Sequence, residues 1–126
     1  MTENILHQKE ALAVAVGLAD GYGRNVAIVL PMYRGRMPGL IRDVLETTGA
    51  DRVRLVHRTN GMEQVIFHGG GKIRFFAPAH RIRGYSCDTI VASADLDSKQ
   101  MQDIIPAAAT SPNRKVIRFH EDSNLT

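Results

Sequence analysis

Apolar residues recur along the chain at spacings that predict alternating helices and strands. Residues 5–19, ILHQKEALAVAVGLA, place apolar side chains at helical intervals and predict a buried helix that ends near Gly21. Residues 25–31, NVAIVLP, form a continuous apolar run closed by a proline. Such a run is typical of a strand that is buried on both faces of a parallel sheet, so a helix followed by a central strand is predicted.

The middle of the chain predicts a second helix and three further strands. Residues 38–48, PGLIRDVLETT, carry an apolar stripe at helical spacing. Residues 52–58, RVRLVHR, alternate as a strand, with Val53 and Leu55 on one face and arginines on the other. In residues 63–77, EQVIFHGGGKIRFFA, two alternating segments flank three glycines. This pattern predicts a β-hairpin with a glycine turn in preference to a phosphate-binding loop.

The last third of the chain predicts two more buried strands with a short helix between them. The strands are residues 88–93, DTIVAS, and residues 114–119, RKVIRF, and the helix is residues 97–105, DSKQMQDII. Strands that alternate with helices predict an α/β fold, in which helices flank a mostly parallel sheet and the hairpin is an insertion. We expect a single domain over residues 1–126, with residues 120–126 as a frayed tail.

The composition is that of an ordinary globular protein. The 126 residues are 44% hydrophobic and 23% charged, no apolar run is long enough to span a bilayer, and the N-terminus lacks the pattern of a secretory signal. A cytoplasmic protein without a membrane partner is therefore expected. The single cysteine, Cys87, excludes an intramolecular disulfide and a multi-cysteine zinc site. The formal charge of +3 is compatible with nucleic-acid binding but does not demonstrate it.

Four stretches of the chain follow one another in an order shared with one known family. They are NVAIVLPMYRGRMPGLIRDVLE (25–46), HRTNGMEQVIFHGGGKIRFFAP (57–78), RGYSCDTIVASAD (83–95) and MQDIIPAAATSPNRKVIRF (101–119). They resemble, in turn, the second strand and helix, the hairpin insert, the strand of catalytic acids, and the following helix and strand of phage terminase large subunits, the motors that package viral DNA. The resemblance implies a RecA-like fold of the P-loop NTPase superfamily. It also implies a protein encoded by a phage or prophage that acts in the host cytoplasm.

The parts of this family that hydrolyse ATP are missing from the chain. The resemblance places Lys9 close to the lysine of the phosphate loop, but Glu10 replaces the hydroxyl and no glycine precedes it. The chain also has too few residues for the strand before that loop. Ala92 and Ser93 replace the two acids, and Asp95 lies past the strand end, where we expect it to cap a helix. We therefore expect no ATPase activity, no metal ion and no cofactor.

Arginines are the best candidates for a binding site. Arg34 and Arg36 follow one predicted strand, whereas Arg81 and Arg83 occupy another loop. If both loops lie at the same edge of the sheet, four guanidinium groups meet there. They would suit the phosphate oxygens of nucleic acid or an acidic protein partner. Scattered, solvated arginines with local ion pairs are the alternative.

Histidine and cysteine residues indicate no stronger chemistry. If His57 and His68 meet across adjacent strands, a pair of surface histidines is expected in preference to a metal site. Cys87 precedes a strand, whereas nucleophiles of α/β proteins follow one, so a small core residue is expected.

These observations favour a non-catalytic binding or regulatory protein, whose partner is a host or phage protein. The alternative is a nucleic-acid-binding accessory protein that uses the arginine loops. An enzyme with residual phosphate chemistry at Lys9 and Asp95 is a third possibility. Because the strand before the phosphate loop is expected to be missing, two outcomes are open: DTIVAS and RKVIRF pair directly, or an apolar sheet edge stays exposed. An exposed edge would be covered by a second copy of the chain, so a homodimer is predicted.

Overall fold

Seven strands form one sheet in the computed structural model, which describes residues 5–32, 37–59 and 61–121. The strands are β1 (Ile5–His7), β2 (Asn25–Val29), β3 (Val53–His57), β4 (Gln64–Phe67), β5 (Lys72–Phe76), β6 (Thr89–Ser93) and β7 (Lys115–His120). The α-helices of the described residues are α1 (Gln8–Val16), α2 (Met37–Thr48) and α3 (Ser98–Ile104). Across the sheet the strands follow the order β1-β7-β6-β2-β5-β4-β3.

The sheet is parallel from β1 to β5 and becomes antiparallel only in the hairpin. The central strand β2 pairs in parallel with both β5 and β6, and its residues 26–29 are completely buried, as its unbroken apolar run predicts. The hairpin adds β4 and β3 to the outer side of β5 in antiparallel pairing. The predicted α/β fold, with a mostly parallel sheet and an inserted hairpin, is confirmed.

The first strand corrects two of the expectations from the sequence. Residues 5–7, predicted as the start of a helix, form β1, and α1 begins only at Gln8. β1 pairs in parallel with β7, with His7 opposite His120, and β7 pairs directly with β6 on its other side. The strand expected to be missing is therefore present, and the sheet has no gap between β6 and β7. The argument for a homodimer depended on that gap and fails with it.

Helices and short helical turns cover the two faces of the sheet. On one face, apolar side chains of α1 and α2 pack on those of the central strands. The helices contribute Leu12, Val16, Leu40 and Ile41, and the strands contribute Val26, Ile28, Phe75 and Phe119. On the other face, α3 and the 3₁₀ turns at Ala79–Ile82 and Ile105–Ala108 pack on the opposite side chains of β2 and β6. None of the helices in the described residues is long and apolar enough to span a membrane.

A β-bulge between Val53 and Leu55 changes the direction of side chains along β3. Val53 and Val56 pack against the core that α1 and α2 cover, whereas Leu55 is 44% exposed. The prediction that Val53 and Leu55 share a face is therefore wrong, because the extra residue of a bulge shifts the strand alternation by one position.

The end of the chain is ordered further than the sequence predicts. His120 is the last residue of β7, and Glu121 accepts a hydrogen bond from the buried hydroxyl of Ser93. The expected frayed tail therefore does not begin at residue 120. Residues 122–126, the rest of that predicted tail, lie outside the described residues.

Candidate functional site

The carboxyl ends of β1, β7, β6 and β2 lie at one edge of the sheet, because these strands are parallel neighbours. In open α/β sheets, ligands bind at this edge. The residues to consider here are therefore His7, Ser93, Glu121 and the first turn of α1.

β1 passes into α1 without an intervening loop. His7 ends β1, and Gln8 begins α1. The backbone N–H of His7 donates a hydrogen bond of 3.2 Å to Oε1 of Glu10 in the first helical turn. A phosphate loop needs several residues between strand and helix so that their amides can surround the phosphate. Here there are none, and the carboxylate of Glu10 lies at the positive end of the helix dipole, where an anion is stabilised.

Lys9 lies in a groove between α1 and α2. The groove has a volume of about 520 Å³, and Lys9 lines it together with Asp43 and Glu46 of α2. Gln8 donates a hydrogen bond of 3.4 Å from Nε2 to Oδ2 of Asp43 on the same side of the helix pair. Two carboxylates and one ammonium group line this groove, and their net negative charge disfavours a nucleotide phosphate. The structure therefore places Lys9 in surroundings unlike those of a phosphate-loop lysine.

The end of β6 carries Ala92 and Ser93 at the two positions where the resemblance expects acids. Ala92 and Ser93 are both completely buried. The hydroxyl of Ser93 donates to Oε2 of Glu121 at 2.5 Å and accepts from the backbone N–H of Asp95 at 3.1 Å. Arg118 of β7 donates from Nη2 to the carbonyl oxygen of Ser93 at 3.0 Å. A methyl group and an engaged hydroxyl thus stand where magnesium ligation and water activation require carboxylates.

The sequence predicts that Asp95 caps α3, but in the structure Asp95 does not form this cap. The capping residue is Asp97, whose Oδ1 accepts from the backbone N–H of Gln100 at 2.7 Å. Gln100 returns the contact by accepting from the backbone N–H of Asp97 at 3.0 Å, which completes a capping box. Asp95 is exposed, in the turn before the helix.

The two arginine loops are only partly within the described residues. Arg34 and Arg36 lie outside them. Arg81 is exposed, and its Nη1 lies close enough to Gly61 that an added Cβ there would be 2.8 Å away. Arg83 is 66% exposed and forms an ion pair of 3.3 Å with Asp103 of α3. Arg81 and Arg83 therefore have different neighbours, and the described residues do not test a four-arginine site.

A cluster of basic and aromatic side chains on β5 was missed by the sequence analysis. The guanidinium carbon of Arg74 lies 5.0 Å from the ring centroid of Tyr85 and 5.2 Å from that of Phe76. The ammonium group of Lys72 lies 5.8 Å from the centroid of Tyr85. Tyr85 also donates from its hydroxyl to Oδ1 of Asn25 at 2.7 Å, and burial raises the pKa of its phenol. The alternation of Lys72 and Arg74 in GKIRFF was the available signal, because it places both cations on one face of a strand.

The remaining nucleophile and histidine candidates have no catalytic geometry. Cys87 is 5% exposed, and burial raises the pKa of its thiol to about 12, which makes it an unreactive core residue as expected. His57 lies opposite Gln64, whereas His68 follows the other end of β4, so the two histidines do not face each other. In the described part of the chain, no three His, Cys, Asp or Glu residues are grouped as metal ligands.

Comparison with known proteins shows a similarity of this architecture at the level of the fold. No protein-family profile and no curated protein matches the chain. Among solved structures, a large terminase from a thermophilic bacteriophage in complex with ADP matches with a TM-score of 0.51 and 9% sequence identity. The match covers 94% of this chain and 38% of that terminase chain, so this protein spans less than half of its length. At this identity the match shows the fold alone, which is the terminase-like α/β architecture that the sequence predicts.

Proposed function

We propose that this protein is a non-catalytic binding or regulatory domain on a terminase-like ATPase fold. The observation that best supports the proposal is the direct junction of β1 and α1 at His7 and Gln8. It removes the loop on which a nucleotide phosphate would rest, and Glu10 places a negative charge at the same helix end. A triphosphate there would be repelled where a phosphate loop attracts it.

The residues of β6 support the same proposal independently. With Ala92 and Ser93 in place of the acids, the end of β6 lacks the two carboxylates that would hold magnesium and activate water. Losing electrostatic stabilisation of a transition state costs about 3 to 4 kcal/mol for a single donor, which is a factor of hundreds in rate. The loss of the phosphate loop adds to this deficit.

The retained fold then serves to present surfaces to another molecule. A partner protein of a host or phage is the proposed ligand class, in keeping with the phage terminase to which the fold is similar. Fold similarity does not transfer an activity, so the kind of partner has to be inferred from the surface residues of this chain.

Isothermal titration with Mg-ATP tests the proposal. We expect no binding in the micromolar range and no release of phosphate by the wild-type protein. Lys9→Ala and the exposed lysine variant Lys99→Ala serve as a matched pair. Micromolar binding that Lys9→Ala abolishes and Lys99→Ala preserves would overturn the proposal. ATP turnover that depends on Lys9 and Asp95 would instead support a residual phosphate-handling enzyme.

A nucleic-acid-binding accessory protein is the second candidate. It is favoured by the charge distribution, since residues 52–85 contain seven basic residues and one acidic residue, Glu63, for a formal charge of +6. The exposed Arg81 belongs to this segment. If arginine loops bind a polyanion, Arg34→Ala combined with Arg81→Ala should weaken DNA binding and flatten its dependence on salt. The absence of DNA binding by the wild type at low salt would remove this candidate.

A further inference from the structure

The three strands of the hairpin region share one face that points away from α1 and α2, and Tyr85 lies over its β5 side chains. Six side chains form it, and we call it the hairpin face: Leu55, His57, Gln64, Ile66, Lys72 and Arg74. They share a side because Gln64 lies opposite both His57 and Arg74, and Ile66 lies opposite both Leu55 and Lys72. The alternate residues of β4 and β5 are buried against the core beneath α1 and α2.

Apolar side chains on and beside the hairpin face are exposed. Leu55 is 44% exposed, and Met62 is 49% exposed beside Arg74, whose Nη2 lies 3.6 Å from the sulfur of Met62. Ile66 is half-buried between Leu55 and Lys72. Leu55 and Ile66 are thus apolar neighbours across two strands, and neighbouring exposed apolar side chains among polar ones mark binding surfaces more often than isolated ones do.

The positive charge of the hairpin face is not balanced within the described part of the chain. Neither Lys72 nor Arg74 forms an ion pair there, and the Nε of Arg74 is buried with no hydrogen-bond partner among those residues. Both cations lie over the ring of Tyr85, so they are held close together. Two neighbouring cations without a carboxylate favour an anionic ligand. The charge of +6 over residues 52–85 has the same sign.

The apolar component favours a protein over a nucleic acid as this ligand. Single-stranded nucleic acids stack their bases on exposed aromatic rings. Here the ring of Phe76 is 4% exposed, and the ring of Tyr85 is contacted by Phe76, Lys72 and Arg74. The side chains that protrude are aliphatic, and a phosphate backbone would remove water from them without a compensating contact. Exposed Leu and Met beside Arg and Tyr are typical of protein interfaces.

We propose that the hairpin face binds an acidic segment of a partner protein, in which carboxylates alternate with apolar side chains. Carboxylates of the segment pair with Lys72 and Arg74, while its apolar side chains cover Leu55 and Met62. This inference rests on the proposed binding function and gives that function a surface and a partner chemistry.

The test is a titration followed by NMR on the full chain, with a synthetic peptide in which Asp and Glu alternate with Leu as the probe. A peptide with Lys in place of the acids and a single-stranded oligonucleotide of similar length are the comparison ligands. We expect the acidic peptide alone to shift the amide signals of β3, β4 and β5. Lys72→Glu should weaken its binding about tenfold and Leu55→Ala about fivefold. Lys99→Glu on α3 is the charge-matched control and should leave the affinity unchanged.

Each other outcome overturns the inference. If the acidic peptide shifts no amide of the three strands, the hairpin face does not bind it. If the oligonucleotide shifts these amides and the peptide does not, the face binds nucleic acid. If Lys99→Glu weakens the binding of the peptide as much as Lys72→Glu does, the attraction comes from the overall charge of the protein and not from the hairpin face. Thermal melting confirms that each variant is folded, and ATP binding, which would overturn the proposed function, is measured separately.

Discussion

The hydroxyl of Ser93, the last residue of β6, donates a hydrogen bond of 2.5 Å to the carboxylate of Glu121, which follows β7. The resemblance to terminase motors implies two acids at the end of β6, where this chain has Ala92 and Ser93. In this chain the carboxylate beside the end of β6 comes instead from Glu121, on the neighbouring strand end. The bond therefore joins the ends of two neighbouring strands, β6 and β7.

Replacing Ser93 by alanine should destabilise the protein by about 1 to 3 kcal/mol, the usual cost of leaving buried polar groups without a partner. The variant removes the bond to Glu121 and also leaves the backbone N–H of Asp95 without its acceptor. Urea denaturation followed by circular dichroism measures the change. Ser98→Ala, at an exposed serine in the first turn of α3, is the control. An unchanged midpoint for Ser93→Ala would show that the bond contributes nothing to folding.

The central part of the fold could be predicted from the sequence because its signals are local. The apolar runs that became β2 and β6 and the alternation around Gly69–Gly71 needed only strand periodicity. β1 could not be predicted in this way, since its three residues form a strand only because β7 lies beside them. The bulge in β3 could not be predicted for the same reason, because it depends on the register with β4.

The candidate sites likewise contain some features that are local in the sequence and others that depend on contacts between distant residues. The replacement of acids by Ala92 and Ser93 is visible in the sequence, whereas the bond from Ser93 to Glu121 requires β6 and β7 to be neighbours. The cluster of Arg74 and Tyr85 joins residues that no local pattern connects. It exists because the chain returns after the turn at Ala79–Ile82 and places Tyr85 over β5.

Gly71 in the hairpin turn should be among the least replaceable residues of the chain. A Cβ at Gly71 would overlap the carbonyl oxygen of Ala19 and lie 2.9 Å from that of Arg24, both backbone atoms that cannot rotate away. Gly71→Ala should therefore cost at least about 3 kcal/mol, at the upper end of overpacking penalties. Gly69→Ala is the matched control, since its nearest atom would be the oxygen of Asp20 at an ordinary 3.5 Å. Thermal denaturation of the two variants compares them, and equal melting temperatures would contradict the close approach.

Asp88 should make the stability of the fold depend on pH in the acid range. Its carboxylate accepts from the backbone N–H of Asn25 at 2.9 Å and from the hydroxyl of Ser111 at 2.7 Å. The bond from Asn25 is the main reason why the pKa of Asp88 lies below its usual value. A depressed pKa means that this stabilisation is complete above the unfolded value of about 4 and is lost as the pH falls through the lower folded value.

The measurement for Asp88 is the urea midpoint at several pH values between neutral and strongly acidic. Asp88→Asn should be less stable than the wild type near neutrality, and the difference should shrink as the pH falls. Asp95→Asn, at an exposed carboxylate, is the control and should track the wild type. A constant difference across the pH range would mean that the charge of Asp88 is not what stabilises the fold.

Asp97 and Asp95, two residues apart, should differ sharply in their importance for α3. Asp97 caps the helix through its bond to the backbone N–H of Gln100, so Asp97→Ala should cost about 0.5 to 2 kcal/mol. Asp95 is exposed and contributes only a backbone N–H to Ser93, which alanine retains, so Asp95→Ala should stay within about 0.5 kcal/mol of the wild type. Since Ile104 of α3 is completely buried on the face of the sheet that α3 covers, fraying of this helix would loosen the packing on β6.

Urea denaturation gives the two free energies of unfolding. Hydrogen exchange at the amide of Met101, which donates to the carbonyl of Asp97 at 2.9 Å, reports on the first turn of the helix directly. Faster exchange in Asp97→Ala than in Asp95→Ala is expected, and equal exchange in the two variants would show that the capping box does not hold α3 in place.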